Sequence, residues 1–423
     1  MEEDSILKPT GNSEKSQYSS KEKKLKKRGK TKSNQFKNFF QANEHKTKNK
    51  IIKGIIKKED NSKEIKKVRN PGVDLVRIIS MYTIVLNHVI FFGRGYNHFP
   101  KYIRPLSLVH SITDWNTNGF ILISGIVGYK TNKYSNLFYL WLTVLFYSVG
   151  IHKYVEYFKK GYIVNEEMYK EYYPIIFKRY WYFSTYFGMY LFLPVINKGI
   201  ASLTKFEHKL VVISTIGILI LWRDYKNPGE DLFLMHVGDS ILWFIIFYLT
   251  GAYIGKYRVD YFGLKKYIYC FICMFIYSLA SYLYFKSYHK ELDLPISLRR
   301  MFNKRLNSIL KISQTITATL FLMQIHYNKY IAKFICFIGP LVFGIYLIHN
   351  HSFIHINVIN HVFDNQPKDL NLNGVLTLVF GKTLKICIIC LIIDYLRNLL
   401  FTLLRIKKIS IFLETKLMEK FNN

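Results

Sequence analysis

Three ionisable residues, Asp74, Arg77 and His88, lie in the first long apolar segment of the chain, PGVDLVRIISMYTIVLNHVIFFG. A helical residue turns through about 100° and rises about 1.5 Å, so Arg77 and His88 share one face, about 16 Å apart along the axis. Asp74 falls about 40° from His88 on that face. An imidazole can take up a proton or act as a nucleophile, and a guanidinium can hold a phosphate or carboxylate. Ionisable residues that share one face of a membrane helix are a candidate functional site.

The apolar residues of this chain of 423 residues are gathered into runs. Hydrophobic residues make up 50% of the sequence, which includes 33 Tyr and 33 Phe. Apolar runs of this kind are typical of membrane-spanning helices. The sequence predicts an all-α fold, a polytopic membrane helical bundle of about ten transmembrane helices. The predicted spans are roughly 73–93, 112–130, 135–153, 180–198, 209–222, 239–256, 266–286, 308–325, 332–350 and 374–403.

Residues 1–70 differ in composition from the rest of the chain. They hold 21 Lys and Arg against 9 Asp and Glu, a composition that predicts a disordered basic cytosolic tail. The tail lacks the apolar stretch and cleavage site of a signal peptide, so the first span is expected to direct membrane insertion. We interpret the charge as setting topology and attracting anionic lipid, without a nucleic-acid partner.

An even number of spans places both termini in the cytosol. Residues 71–404 are then the membrane domain and 405–423 a short cytosolic C-terminal tail, which contains Arg405, Lys407 and Lys408. The basic loop 286–307 would lie on the far side, which indicates either a miscounted span or charges that face a reaction. The prediction is an integral multi-pass protein, of the plasma membrane or an endomembrane.

Two Cys-x-x-Cys pairs, Cys270 with Cys273 and Cys387 with Cys390, are embedded in apolar runs. Their spacing suggests zinc or redox chemistry. The pairs are far apart in the chain, no His-rich segment accompanies them, and residues three apart are ordinary packing positions, so no metal is expected. The complete phosphate-binding motif Gly-x-x-x-x-Gly-Lys-Ser/Thr and a Gly-x-Ser-x-Gly elbow are missing from the sequence, so any chemistry is expected in the membrane segments.

Other polar residues in the predicted spans allow two interpretations each. Ser124 lies among glycines in NTNGFILISGIVGYK, where close helix packing is the simpler role. Trp181 and Tyr182 begin the fourth span and could form an interfacial belt. Tyr346 and His349 are three apart and therefore neighbours on one helical face. They could be a packing pair or part of a proton relay.

Taken in order, these segments resemble the acyltransferase 3 family of integral membrane acyltransferases over about residues 70–404. The resemblance rests on VDLVRIISM followed by His88, GFILISG, KYSNLFYLWLTVLFYS, RYWYFSTYFGMYLFLPVIN, WFIIFYLTGAYIGKY, FGIYLIHN and IIDYLRNLLF. Two features depart from the family pattern. The basic tail is long, and Asn307 and Ser308 stand where a Ser-Pro step is usual.

The resemblance implies acetyl-CoA, or another acyl-CoA, as a donor substrate on the cytosolic side and no bound cofactor. It implies a hydroxyl of a cell-surface or lipid-linked saccharide as acceptor on the other side. Arg77 is then expected to hold a phosphate of CoA. His88 is expected to be a base or an acyl carrier. Asp74 either orients Arg77 or simply favours the helix N-terminus.

The remaining candidates are second in rank and come from the same resemblance. They are expected to line a cavity beside the first helix, where Tyr346 or His349 could stabilise an oxyanion or relay protons. These supporting residues are Ser124, Trp181, Tyr182, Tyr346 and His349.

Two other functional classes are compatible with the same sequence. A proton-coupled transporter or flippase of a sugar-like or lipid-like solute also has ionisable residues within its spans. Such carriers typically contain inverted repeats, and no corresponding halves are evident here. A catalytically inactive membrane scaffold is the other class, and the presence of both Arg77 and His88 argues against it.

Overall fold

The computed structural model describes residues 69–131, 133–158, 166–222, 233–235, 237–257, 264–288 and 306–422, and within these ranges it contains helices and turns but no β-strand. Nearly all of the predicted tail and most of the basic loop at 286–307 lie outside these ranges. The helices of eight or more residues are α1 Pro71–Phe91, α2 Ile103–Thr113, α3 Asn116–Gly128, α4 Tyr134–Phe158, α5 Trp181–Ser202, α6 Lys205–Ile216, α7 Ile241–Lys256, α8 Leu264–Tyr288, α9 Ile309–Met323, α10 Lys329–Ile338, α11 Val342–His349, α12 Leu372–Leu403 and α13 Ile406–Asn422.

Helices occupy each of the ten segments that the sequence predicts as spans. By length and composition, four helices in the described part of the chain can cross a membrane: Pro71–Phe91, Tyr134–Phe158, Leu372–Leu403 and the combined segment Lys329–His349. Shorter apolar helices include Ile241–Lys256 and Ile309–Met323. The all-helical class is confirmed, and the number of crossings stays a prediction.

Helix α1 lies at the centre of the compact unit Asn70–Asn423. The side chain of Asn70 caps its start by accepting a hydrogen bond from the Gly72 amide, and Pro71 occupies the first turn, where a missing amide hydrogen costs nothing. The helix packs against α2, α3, α9, α10, α11 and α12. This surrounding contact explains how a helix can keep ionisable side chains on a face turned away from lipid.

Helices α3 and α7 approach each other closely at Gly125 and Gly251. A Cβ atom at Gly125 would lie 2.2 Å from the carbonyl oxygen of Tyr248, and one at Gly251 would lie 2.2 Å from that of Leu122. Asn118 joins the same helices, because its side chain accepts a hydrogen bond of 3.1 Å from the Trp243 indole. The small residues of the second predicted span thus serve packing.

We expect Gly125→Ala to lower the free energy of unfolding by about 1–3 kcal/mol, because the added methyl group would force the α3 and α7 backbones apart. Gly150→Ala in α4 is the matched control, since a Cβ atom there meets no atom within 4 Å. Alanine favours a helix over glycine, so the control should be neutral or stabilised. Thermal unfolding of the detergent-solubilised proteins measures both, and equal effects would contradict this packing role.

The predicted ninth span, 332–350, is not one uninterrupted helix. Helix α10 ends at Ile338, a 3-10 turn occupies Gly339–Leu341, and α11 begins at Val342. Pro340 has no amide hydrogen to continue the helical ladder. Gly339 is needed at this break because a Cβ atom there would lie 2.5 Å from the Asp74 carboxylate. The break therefore brings the backbone against the start of α1.

An ion pair within α12, between Asp394 and Arg397, contacts the neighbouring helices α4 and α11. Arg397 donates to Asp394 through Nη2 at 2.7 Å and through Nε at 3.0 Å, and the Tyr147 hydroxyl of α4 donates to Asp394 Oδ1 at 2.7 Å. Gly344 of α11 lies directly against the Asp394 carboxylate. Both charged residues are buried. The Asp394 carboxylate thus contacts α11, the helix whose last residue, His349, reaches α1.

The segment predicted as a short C-terminal tail forms a helix of its own. Helix α13 packs on α4, and the Glu414 carboxylate accepts a hydrogen bond of 2.7 Å from the Tyr134 amide at the start of α4. Apolar side chains such as Phe412, Leu417 and Met418 are exposed along it. This segment is thus an ordered part of the compact unit.

Candidate functional site

The ionisable residues of α1 divide into two groups, one at each end of the helix. Near its start, Arg77 Nη1 donates to Asp74 Oδ1 at 2.6 Å. The Asp74 side chain is fully buried, whereas that of Arg77 is 27% exposed. His88 lies in the last turn. The guanidinium is therefore oriented by a buried carboxylate and stays accessible, and the imidazole belongs to a separate part of the site.

His88 pairs with His349, the final residue of α11. The two ring nitrogens, His88 Nδ1 and His349 Nε2, are 3.2 Å apart. His349 is fully buried, and its Nδ1 lies 2.5 Å from the Ile345 carbonyl oxygen. A carbonyl only accepts hydrogen bonds, so His349 Nδ1 carries a proton. When His349 is neutral, its Nε2 must then accept from His88 Nδ1, which leaves the lone pair of His88 on Nε2.

A third imidazole, that of His355, lies beside the pair. Its ring centroid is 5.9 Å from that of His88, and the Phe92 ring contacts both residues, with centroids 5.0 Å from His88 and 4.6 Å from His355. Burial lowers the pKa of His355 below its ordinary value, which keeps the ring neutral at neutral pH. His88 thus has uncharged aromatic neighbours.

A narrow cavity of about 70 Å³ extends from His88 toward the Pro71 end of α1. We call it the inner cavity. Its wall is mostly apolar and aromatic, and it is closed by the starts of α3 and α5 and by α11. The lining residues are Met81, Ile84, His88, Thr117, Phe120, Trp181, Tyr182, Phe343, Tyr346 and Asn350.

A wider and more open cavity of about 280 Å³ lies on the other side of His88. We call it the outer cavity. It shares Ile84, His88 and Thr117 with the inner cavity but is otherwise polar, with two aromatic rings at the end of α1. The lining residues are Ile84, Asn87, His88, Phe91, Phe92, His110, Asp114, Asn116, Thr117 and Lys311.

The outer cavity contains an ion pair that sequence reasoning missed. Lys311 Nζ lies 2.5 Å from Asp114 Oδ2, and His110 Nε2 lies 4.0 Å from Asp114 Oδ1. The Lys311 side chain is only 7% exposed. Asp114 follows α2 and Lys311 belongs to α9, so no motif spacing could have linked them. The pair neutralises the net charge of this wall.

The structure brings most of the predicted supporting residues to the inner cavity. Trp181, Tyr182 and Tyr346 line it, and His349 contacts His88 directly. Ser124 lines neither cavity, and its hydroxyl donates to the Phe120 carbonyl of its own helix at 2.8 Å. This bond within α3 fits the packing interpretation of Ser124, and its functional role stays a prediction.

The two Cys-x-x-Cys pairs lie on separate helices, Cys270 and Cys273 on α8 and Cys387 and Cys390 on α12. The cysteines of the described residues form no disulfide, and Cys387 and Cys390 are buried in the apolar core. Within the described ranges, no three His, Cys, Asp or Glu residues are arranged to hold a metal ion.

A protein-family model matches most of the chain. It is described as an acyltransferase domain and matches residues 70–394, which include both groups of α1 residues and both cavities. Neither a curated protein nor a solved structure matches the chain.

Proposed function

Since the chain belongs to the acyltransferase 3 family of membrane proteins, we propose that it transfers an acyl group, acetyl in the first instance, from acyl-CoA to a hydroxyl of a cell-surface or lipid-linked saccharide. His88 acts as the base. The observation that carries this proposal is the position of His88 between the apolar inner cavity and the polar outer cavity. The apolar inner cavity suits a short acyl group, and the polar outer cavity suits a hydroxylated acceptor.

The pairing of His88 with His349 supports a basic role. With Nδ1 of His88 donating to His349, Nε2 is free to take a proton from an attacking hydroxyl. The carbonyl of Ile345 fixes this arrangement by holding the proton of His349 on Nδ1. Because donor and acceptor cavities both reach His88, the acceptor can attack the thioester directly. Sequential rather than ping-pong kinetics are the expected result, and a trapped acyl-His88 would contradict direct attack.

The outer cavity offers groups that suit a saccharide. Asp114 can accept hydrogen bonds from sugar hydroxyls, and the side-chain amide nitrogens of Asn87 and Asn116 can donate them. The side-chain oxygens of the two asparagines already accept from Thr113 and Thr117. The side chains of Phe91 and Phe92 are 56% and 39% exposed, which leaves aromatic faces for the apolar face of a sugar ring. The Asp114–Lys311 pair leaves no net charge, which favours a neutral acceptor.

Arg77 suits the phosphates of CoA, because its charge is permanent and Asp74 orients it. We expect Arg77→Lys to raise KM for acyl-CoA about tenfold, since an ammonium group cannot donate in a planar fork. Arg94→Lys is the control, an exposed arginine just beyond the opposite end of α1. Steady-state rates at varied acyl-CoA measure the effect. Equal KM values for the two variants would remove Arg77 from the donor site.

The proposed placement in the membrane puts the Pro71 end of α1 and acyl-CoA on the cytosolic side, with the acceptor opposite. The basic N-terminal residues then lie in the cytosol, where anionic lipid is the expected partner. A multi-pass arrangement in the plasma membrane or an endomembrane fits this proposal. Cysteine labelling from either side of sealed vesicles, at Arg94→Cys and at Lys407→Cys, tests it.

Radiolabelled acetyl-CoA, supplied to membranes that contain the wild-type protein, tests the proposed reaction. Label in the glycan or lipid-linked fraction, above that in membranes lacking the protein, would support acyl transfer and identify the acceptor class. If the folded protein neither binds CoA nor transfers label, the acyltransferase proposal is wrong. Counterflow of a sugar-like or lipid-like solute would then be measured, since a carrier is the alternative function.

A further inference from the structure

Two hydroxyl groups in the wall of the inner cavity, those of Tyr182 and Tyr346, have no hydrogen-bond partner among the described residues. The Tyr182 hydroxyl oxygen is shielded from solvent and makes no hydrogen bond with any described residue. Tyr182 lines the same cavity as His88. A buried phenol without a partner costs free energy, and in a native protein it often marks a place where a ligand supplies the missing bond.

Packing holds the Tyr182 ring in place on several sides. Its centroid lies 5.1 Å from that of Phe244, 6.3 Å from that of Phe120 and 6.2 Å from that of Tyr346. These contacts fix the position of the ring, and with it that of the hydroxyl oxygen, before any substrate binds. A donor that is already oriented pays little reorganisation cost when charge develops beside it.

Other polar groups near the cavity are less suited to donate. Both ring nitrogens of His349 are engaged, one by Ile345 and the other by His88. The Tyr346 hydroxyl also makes no hydrogen bond with any described residue, but the Asn350 side chain and the backbone amides of Tyr182 and Phe183 lie beside it. Tyr182 has aromatic rings around it instead. Among His349, Tyr346 and Tyr182, the hydroxyl of Tyr182 is therefore the donor with the least competition from neighbouring polar groups.

We propose that Tyr182 is a catalytic residue that donates a hydrogen bond to the thioester carbonyl oxygen as the tetrahedral intermediate forms. This inference rests on the proposed acyl transfer and adds to it the group that stabilises negative charge. It assigns different roles to two residues of one cavity. His88 accepts and returns the proton, and Tyr182 stabilises the oxyanion by a hydrogen bond.

The proposed transfer passes through a tetrahedral intermediate formed from the thioester. The acceptor oxygen bonds to the carbonyl carbon while His88 Nε2 takes the hydroxyl proton. The carbonyl π electrons move onto oxygen, which accepts a hydrogen bond from the Tyr182 hydroxyl. The carbon–sulfur bond then breaks, the carbonyl reforms, and the CoA thiolate receives the proton from the His88 imidazolium. The products are an ester and CoA thiol, and both residues return to their starting states.

Tyr182→Phe is the test, because it removes only the hydroxyl oxygen. We expect kcat to fall about 10²- to 10³-fold, the usual effect of losing one oxyanion donor, with little change in KM for acyl-CoA. Tyr180→Phe is the matched control. The Tyr180 hydroxyl is also buried without a partner in the described residues, but Tyr180 lines neither cavity. Its removal should leave kcat unchanged.

Thermal unfolding gives a second measurement that distinguishes this role from a structural one. If the Tyr182 hydroxyl only stabilised the fold, its removal would lower the unfolding midpoint. Removing an unpartnered hydroxyl should leave the unfolding midpoint of Tyr182→Phe equal to or above that of the wild type. A lower midpoint would show that the hydroxyl is already satisfied in the free protein and would overturn the proposal.

The outcomes separate this inference from the function on which it rests. If the wild type transfers acyl groups and Tyr182→Phe matches Tyr180→Phe in kcat, Tyr182 is not the oxyanion donor, and the proposed function stands. If the wild type transfers no acyl group from acetyl-CoA, the proposed function itself fails. A selective loss of kcat in Tyr182→Phe supports both.

Discussion

His88→Ala is expected to lower the rate of acyl transfer about 10²- to 10⁴-fold, the range that a positioned general base contributes. The substitution removes the only ionisable side chain, among the described residues, that lines both cavities. KM for acyl-CoA should change little, because Arg77 lies about three helical turns away. Transfer of radiolabel by membranes with equal amounts of protein measures the effect.

His361→Ala is the control for this prediction. His361 lies in the loop between α11 and α12, where its side chain is 53% exposed and pairs with Asp364. Its removal changes the histidine content without touching either cavity, so transfer should equal that of the wild type. Full turnover by His88→Ala would show that the base lies elsewhere and would refute the mechanism.

Arg397→Ala is expected to lower the free energy of unfolding by about 3–5 kcal/mol, since it leaves the Asp394 carboxylate buried without its counter-charge. Activity should fall with stability, because Asp394 packs against Gly344 of α11, the helix that ends in His349. The thermal unfolding midpoint in detergent and the transfer rate of the same samples measure the two effects.

Lys385→Ala is the matched control, since it removes an exposed cation from the same helix. It should change stability by less than about 0.5 kcal/mol, as surface substitutions usually do. The double variant Asp394→Asn, Arg397→Met should recover part of the loss, because it leaves no unpaired charge. If Arg397→Ala were as stable as Lys385→Ala, the ion pair would have no role in holding α11.

Helical periodicity accounts for much that was predictable from the sequence. The three-residue step from Asp74 to Arg77 places both on one face, and their side chains form a hydrogen bond. The same step relates Tyr346 to His349, whose ring centroids are 6.5 Å apart. Apolar runs also placed helices in all ten predicted spans. These properties depend on neighbours within one helix.

The break between α10 and α11 was not predicted, because the local hydropathy pattern indicates one span over 332–350. Gly339 and Pro340 stand within an apolar run that otherwise suits one continuous span. The glycine is required by the Asp74 carboxylate, which lies on a helix more than 250 residues earlier. A contact of that kind is invisible to a sliding window of hydropathy.

The sequence by itself determined the helical class, the face of α1 that carries Asp74, Arg77 and His88, and the resemblance to a family. Only the tertiary structure decided which groups meet His88. Periodicity states which side of a helix a residue occupies, but not which other helix packs there. Pairing with His349, the approach of Asp114 to Lys311, and the two cavities all arise from packing between distant segments.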